Sequence, residues 1–291
     1  MPALGLALGL PFGAGAAFVG ALDAYATSLN SAWSVSRRLL SSYTGSLIRV
    51  RETGSSTEAD IGFNAAGNLD LTALAAHVGS NSGFITKIYS QVAPACDLVQ
   101  SIAGRQFRIA NAGAVDYFNS GSVPCAATQT NSTQGMETAT FTALTGSDYT
   151  LASVFRVATA NVGTRVALGG SRAATFGDDG SGGTGSVYVG VTGPTSFEGG
   201  NRAVLALSVP YARSLAFTAT SAGHTLRTTA ASNTSAFTTG SKNIEKWLCL
   251  YNLGNPTNSL NAQFCEGVVW TANRDSDMAA VLAEMNTFYG L

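Results

Sequence analysis

The chain has 291 residues, a formal net charge of −1 and 11% charged residues, less than half the roughly 25% of an average soluble domain. Gly, Ser, Thr, Ala and Asn fill most of the remaining surface positions, and Lys87, Lys242 and Lys246 are the only lysines. This balance excludes the basic stripe of a nucleic-acid binder. No run approaches the roughly 20 unbroken apolar residues of a membrane span. It suits a β scaffold, or a protein buried in an assembly.

Residues 1–22 are apolar and Gly-rich, and no Lys or Arg precedes Arg37. A secretory signal needs a basic start, so this segment reads as an arm. Leu4, Leu6, Leu8 and Leu10 alternate with Ala3, Gly5, Ala7 and Gly9, and Pro11 and Phe12 follow. That period of two is a strand with one greasy face. An extended arm of this kind adds to a partner's sheet edge, so Leu4, Leu6, Leu8, Leu10 and Phe12 are the expected partner-docking residues. Asp23–Leu40 carries apolar residues at mixed helical spacing and predicts one or two short helices.

Residues 47–51 and 84–89 read as strands. Leu71–His77 reads as a helix, with Asp70 placed to cap it. From about residue 98 the pattern is β throughout. Strands are expected over 106–110, 114–118, 138–142, 150–157, 163–168, 186–191, 203–208, 213–219, 224–229, 234–238, 246–251 and 263–270. Turn clusters such as Asp178-Asp179-Gly180 and Glu198-Gly199-Gly200-Asn201 separate them. Many short strands at this spacing predict a sandwich. A helix over 275–290 closes the chain, capped by Ser276, with Met278, Val281, Leu282, Met285 and Phe288 on one face. The expected organisation is an arm (1–22) and a single domain (23–291). The domain divides into a block (23–97), a sandwich (98–270) and the helix.

Chemistry-bearing residues are few. Cys96, Cys125, Cys249 and Cys265 fit no zinc spacing. They read as buried thiols, although Cys249 and Cys265 could face each other on neighbouring strands. His77 and His224 read as a helix-end cation and a turn residue. Asp116, Glu137, Asp148, Asp178, Asp179, Glu198, Glu245 and Glu266 are the carboxylates available to a glycosidase pair. Asp178-Asp179-Gly180 suits solvated turn acids better than calcium. Arg49 and Arg51 share a strand face and are expected to hold Asp60 or Glu58. Neither metal nor cofactor is expected.

The order of features over Ser31–Gln91 is specific. Val35, Arg37, Arg38, Leu39 and Leu40 precede Tyr43-Thr44-Gly45. Leu47-Ile48-Arg49-Val50-Arg51, Asp60-Ile61-Gly62-Phe63, Leu69-Asp70 and Gly83-Phe84-Ile85-Thr86-Lys87-Ile88-Tyr89 follow. This resembles the N-terminal block of the arabinofuranosidase B catalytic domain. It is also similar to copies of that block in tailed-phage structural proteins, whose closing helix resembles Phe288-Tyr289-Gly290-Leu291. The resemblance implies a mainly β fold, an antiparallel two-sheet jelly roll of the concanavalin A or laminin G type.

In the family the block ends in Tyr-Asp-Gln-Ser-Gly-x-Gly-Asn-Asp-Leu near the sugar. Here Tyr89, Gln91, Asp97 and Leu98 are kept. Ser90 replaces the first Asp, and Val92-Ala93-Pro94-Ala95-Cys96 replaces the turn. No two cysteines are adjacent, unlike the family's paired cysteines. The resemblance therefore implies a non-enzymatic virion component, a capsid decoration or a tail or fibre protein, assembled in the host cytoplasm. Its expected partners are major capsid or tail proteins and further copies of itself. Glycan binding through Tyr89, Gln91 and Asp97 is an added role. The alternative is a secreted arabinofuranosidase-type hydrolase or its non-catalytic carbohydrate-binding relative.

Overall fold

A computed structural model describes residues 18–94, 96–128, 134–140, 144–146, 148–157, 165–170, 175–178, 185–190, 203–207, 211–220, 223–228, 232–235, 242–244, 246–251 and 262–291. The fold is mainly β. Among the described residues, nineteen strands join one hydrogen-bonded antiparallel network that curls over its own core, and Leu144–Gly146 pairs separately with Lys242–Ile244. Two α-helices accompany the strands among the described residues, α1 (Leu71–Val78) and α2 (Met278–Tyr289).

The long strand Ala262–Trp270 organises the molecule. One edge carries Tyr149–Val157, which pairs in turn with Tyr211–Thr220 through all nine of its residues. The other edge carries Leu29–Ser34 and then Ala126–Ala127. The helices expected over Asp23–Leu40 are therefore corrected: only a 3-10 turn, Asp23–Tyr25, is helical there, and Leu29–Ser34 is a strand. Ser31, Ala32, Trp33 and Ser34 are fully buried. Their backbone groups are satisfied by the neighbouring strand, and such tertiary pairing overrides a weak local propensity.

Alternation splits the apolar residues between two cores. On Tyr149–Val157, Leu151 and Phe155 face the larger core, with Trp33, Phe107, Phe217, Trp247 and Phe264. Ala152 and Val154 face the smaller one, where α2 supplies Met278, Val281, Leu282 and Met285. Helix α2 thus buries four residues of the predicted stripe, with Phe288 partly buried beside them. Its expected cap is displaced: Ser276 lies within a 3-10 turn, Asp275–Asp277, that leads into the helix. Gly290 ends α2 in the left-handed conformation, φ 67°, which glycine adopts at little cost. Helix α1 begins as expected, with Asp70 Oδ1 accepting from the amides of Thr72 and Ala73, both at 3.0 Å.

In the N-terminal block, Ile48–Glu52 lies between Glu58–Ile61 and Gly83–Ile88. Ile48 and Val50 point into the core, and Arg49 and Arg51 point out. The end of the arm belongs to this body. Leu22 is buried in the smaller core, and the Phe18 ring stacks 3.8 Å from the Arg38 guanidinium. Leu4, Leu6, Leu8, Leu10 and Phe12 lie outside the described residues. All four cysteines are free thiols. Cys249 and Cys265 do not face each other, since their strands are not paired and they belong to different cores.

Candidate functional site

The three residues expected to bind glycan have different surroundings. Gln91 is 4% exposed. Its Oε1 accepts from Leu39 N at 2.7 Å and its Nε2 donates to Arg37 O at 3.0 Å, so both ends of the amide tie the block together. Tyr89 and Asp97 sit half-buried on the outer face of the block. Tyr89 donates to Asp60 Oδ1 at 2.7 Å, and Asp60 takes a bidentate pair from Arg49 at 2.6 and 3.0 Å. Asp97 accepts from Ser90 N at 2.9 Å and pairs with Lys87 at 3.5 Å, while Lys87 lies 4.9 Å from the Tyr89 ring centroid.

The hydrogen bond from Arg49 holds the Asp60 carboxyl below its ordinary value. Burial, and then the hydrogen bond to Asp60, push Tyr89 up to about 12. Burial, and then the charge of Asp97, push Tyr43 to about 12. This face is a satisfied ladder of ion pairs, with one aromatic face covered by Lys87. The expected role of Arg49 in holding Asp60 is met, whereas Arg51 donates to Gln106 at 2.9 Å beside Phe84.

A groove of about 330 Å³ opens where this block meets the C-terminal helix. Its floor is Ser36, Leu69 and Pro124. Ser36 is nearly fully buried and donates to Pro124 O at 2.7 Å. One wall is the loop Asn64–Asn68 and the start of α1. Asn64 Oδ1 accepts from the amides of Ala66 and Asn68, and Gly67 turns the chain with φ 82°. Asn68, Asp70 and Thr72 then follow on the groove side. Ser122 and Val123 form the opposite wall, and Phe288 closes one end.

The Phe288 ring is fixed by a buried charge network. The Arg37 guanidinium lies 4.1 Å from its centroid. Arg37 also pairs with Glu266 at 2.9 and 3.3 Å and with Glu284 at 2.5 and 2.8 Å. Glu266, fully buried, also accepts from the Tyr289 hydroxyl at 2.9 Å. Burial opposes the charge on Arg37, but the carboxylates of Glu266 and Glu284 more than reverse it, so the guanidinium stays protonated. Burial, and then Glu266, push the Tyr289 hydroxyl well above its ordinary value. Glu266 on a strand, Arg37 in a loop and three helix residues, Glu284, Phe288 and Tyr289, thus seat α2. The sequence marked the Arg-containing turn, Glu266 as one of several acids and the Phe288-Tyr289 ending, but not that they meet.

The other candidate carboxylates are dispersed. Asp116 is held bidentately by Arg108 at 2.7 and 2.8 Å, and Glu137 by Lys246 at 3.0 Å. Asp148 lies exposed just before the strand Tyr149–Val157. The side chains of Asp178, Asp179, Glu198, Glu245 and His224 lie outside the described residues. His77 Nε2 donates to Val50 O at 2.9 Å, a structural contact. Among the described residues no three His, Cys, Asp or Glu side chains cluster as a metal site.

Residues 22–118 match the family model described as alpha-L-arabinofuranosidase B, catalytic. The solved structures agree over far more of the chain. A GH54 α-L-arabinofuranosidase soaked with a cyclic sulfate inhibitor superposes with a TM-score of 0.65 at 16% identity, covering 93% of this chain and 66% of its own. An arabinofuranosidase complexed with arabinofuranosyl-α-1,2-xylobiose gives 0.64 at 16% identity, covering 93% and 65%. The fold is that of the arabinofuranosidase B catalytic domain. This chain spans about two thirds of the length of those enzymes. No curated protein matches it.

Proposed function

We propose that the chain is a carbohydrate-binding domain that keeps the arabinofuranosidase B catalytic fold without turning sugar over. The observation that carries this reading is the likeness to arabinofuranosidase structures over 93% of the chain. Loss of turnover is supported by the altered loop: Ser90 stands where the family has an Asp, and Asp97 spends an oxygen on the Ser90 amide. It is also supported by Asp60, Asp97, Asp116, Glu137, Glu266 and Glu284, each of which faces a cation. A retaining glycosidase instead sets two carboxylates roughly 5–5.5 Å apart across the scissile bond. We read the curled sheet as a two-sheet jelly roll, on the division of its side chains between two cores.

The test pairs binding with turnover. Isothermal titration with arabinan and arabinoxylan oligosaccharides detects binding, and release of 4-nitrophenol from the aryl α-L-arabinofuranoside stays at the uncatalysed rate. Release that a single Asp or Glu substitution abolishes overturns the non-catalytic reading.

The Ser31–Gln91 block and the Phe288-Tyr289-Gly290-Leu291 ending support a second element, the setting of this domain on a tailed-phage particle beside capsid or tail proteins and further copies of itself. Proteomics of purified particles tests that setting.

A further inference from the structure

We propose that the groove between the start of α1 and the end of α2 binds a ring of an uncharged oligosaccharide, an inference that rests on the carbohydrate-binding reading. Its volume of about 330 Å³ is in the range of small-ligand clefts, roughly 300–1,000 Å³. It carries polar groups with capacity to spare. Among the described residues, the side-chain amide of Asn68 and the hydroxyls of Thr72 and Ser122 make no hydrogen bond. Asp70 caps α1 through Oδ1 alone, which leaves Oδ2 for a ligand.

A sugar hydroxyl both donates and accepts. An amide, a carboxylate and two hydroxyls therefore satisfy adjacent hydroxyls in either sense, and an acceptor carboxylate makes the stronger bonds. Phe288 supplies an apolar surface for ring C–H groups. Its orientation is already set by Arg37 stacked on it, so little is lost in ordering it on binding.

Charge selects the class of sugar. Among the described residues, the one charged side chain lining the groove is Asp70. The nearby Arg37 is 6% exposed in its side chain and committed to Glu266 and Glu284. Nothing there compensates a ligand carboxylate, so uronic and sialic acids are repelled and neutral rings accepted. The second described groove, of about 430 Å³, differs: it is lined by Arg105, the Lys246–Glu137 pair and the exposed Ile102, and has no aromatic ring.

The test is NMR titration of the full chain with arabinotriose, xylotriose, maltotriose and trigalacturonate. Wild type, Asn68→Ala, Asp70→Asn, which keeps the cap acceptor, Phe288→Leu, and Tyr89→Ala on the outer face are compared. Amide shifts at 64–72 and 288 with a neutral trisaccharide are expected, with affinity about tenfold lower in Asp70→Asn, the worth of one charge-assisted hydrogen bond. Tyr89→Ala binds like wild type. Neutral-sugar binding that survives all three groove variants, or that Tyr89→Ala abolishes, overturns the groove and leaves the carbohydrate reading standing. Preferential binding of trigalacturonate overturns the neutral assignment. Absence of binding to every trisaccharide at millimolar concentration overturns both.

Discussion

Replacing Arg37 by Met tests whether the buried charge network holds α2 in place. Methionine retains most of the apolar stem and removes the guanidinium. The fully buried Glu266 then keeps one partner, the Tyr289 hydroxyl. Orphaning one member of a buried pair costs about 3–5 kcal/mol, because the remaining charge can neither pair nor reach water. Glu284, with its side chain 40% exposed, rehydrates, and its loss adds at most about 1 kcal/mol. The lost stacking on Phe288 adds about 1 kcal/mol. The expected total, about 4–7 kcal/mol, is a large share of the roughly 5–15 kcal/mol of a folded domain.

Urea unfolding followed by Trp fluorescence reads this as a midpoint lower by about 2 M, for a slope of about 2–3 kcal/mol/M. Adding Glu266→Gln removes the orphaned charge and keeps an acceptor for Tyr289. The double variant is therefore expected to be more stable than Arg37→Met alone, with a cost nearer about 2 kcal/mol. A loss under about 1 kcal/mol in Arg37→Met, or a double variant as unstable as the two single losses added, refutes the account.

Three further outcomes follow from other parts of the fold. A Cβ at Gly67, where φ is 82°, would overlap the Phe18 ring; Gly67→Ala is expected to cost about 1–3 kcal/mol and to speed proteolytic loss of the segment before Leu22, which limited proteolysis measures. The hydroxyl and amide of Ser55, with Gly54 N and Asn81, hold the Glu52 carboxyl down from 4.5 to about 2. Its contribution is therefore present above its unfolded value and is lost as pH falls from about 4.5 towards 2, and Glu52→Gln flattens the stability profile in that window. Burial raises all four thiols, and Cys96 is the half-buried one. A thiol-reactive dye should therefore label Cys96 slowly in the native protein and all four only on unfolding; fast native labelling at Cys125, Cys249 or Cys265 contradicts the packing.

The sequence alone determined the elements whose signals are local. Asp70 before a Leu/Ala run marks α1. The 3.6-residue stripe from Met278 to Phe288 marks α2. Apolar runs set between turn clusters mark strands at 47–51, 150–157 and 263–270, close to the observed Ile48–Glu52, Tyr149–Val157 and Ala262–Trp270. The order of residues over Ser31–Gln91 was enough to indicate the fold.

What depends on distant partners was not legible. Leu29–Ser34 is a strand because Ala262–Trp270 lies beside it, and nothing within the segment says so. Gln91 looks like a ligand group in the sequence, yet its amide is consumed by Leu39 and Arg37. Glu266 looked like one more acid of the β half. Its pairing with Arg37, 229 positions away, gives it a structural role, because a buried carboxylate is tolerable only beside a cation. The groove was the least visible of all. Ser36, Asn68, Asp70, Ser122 and Phe288 come from four separate stretches, each of them unremarkable by itself. Only the closure of the sheet and the docking of α2 bring them to one surface.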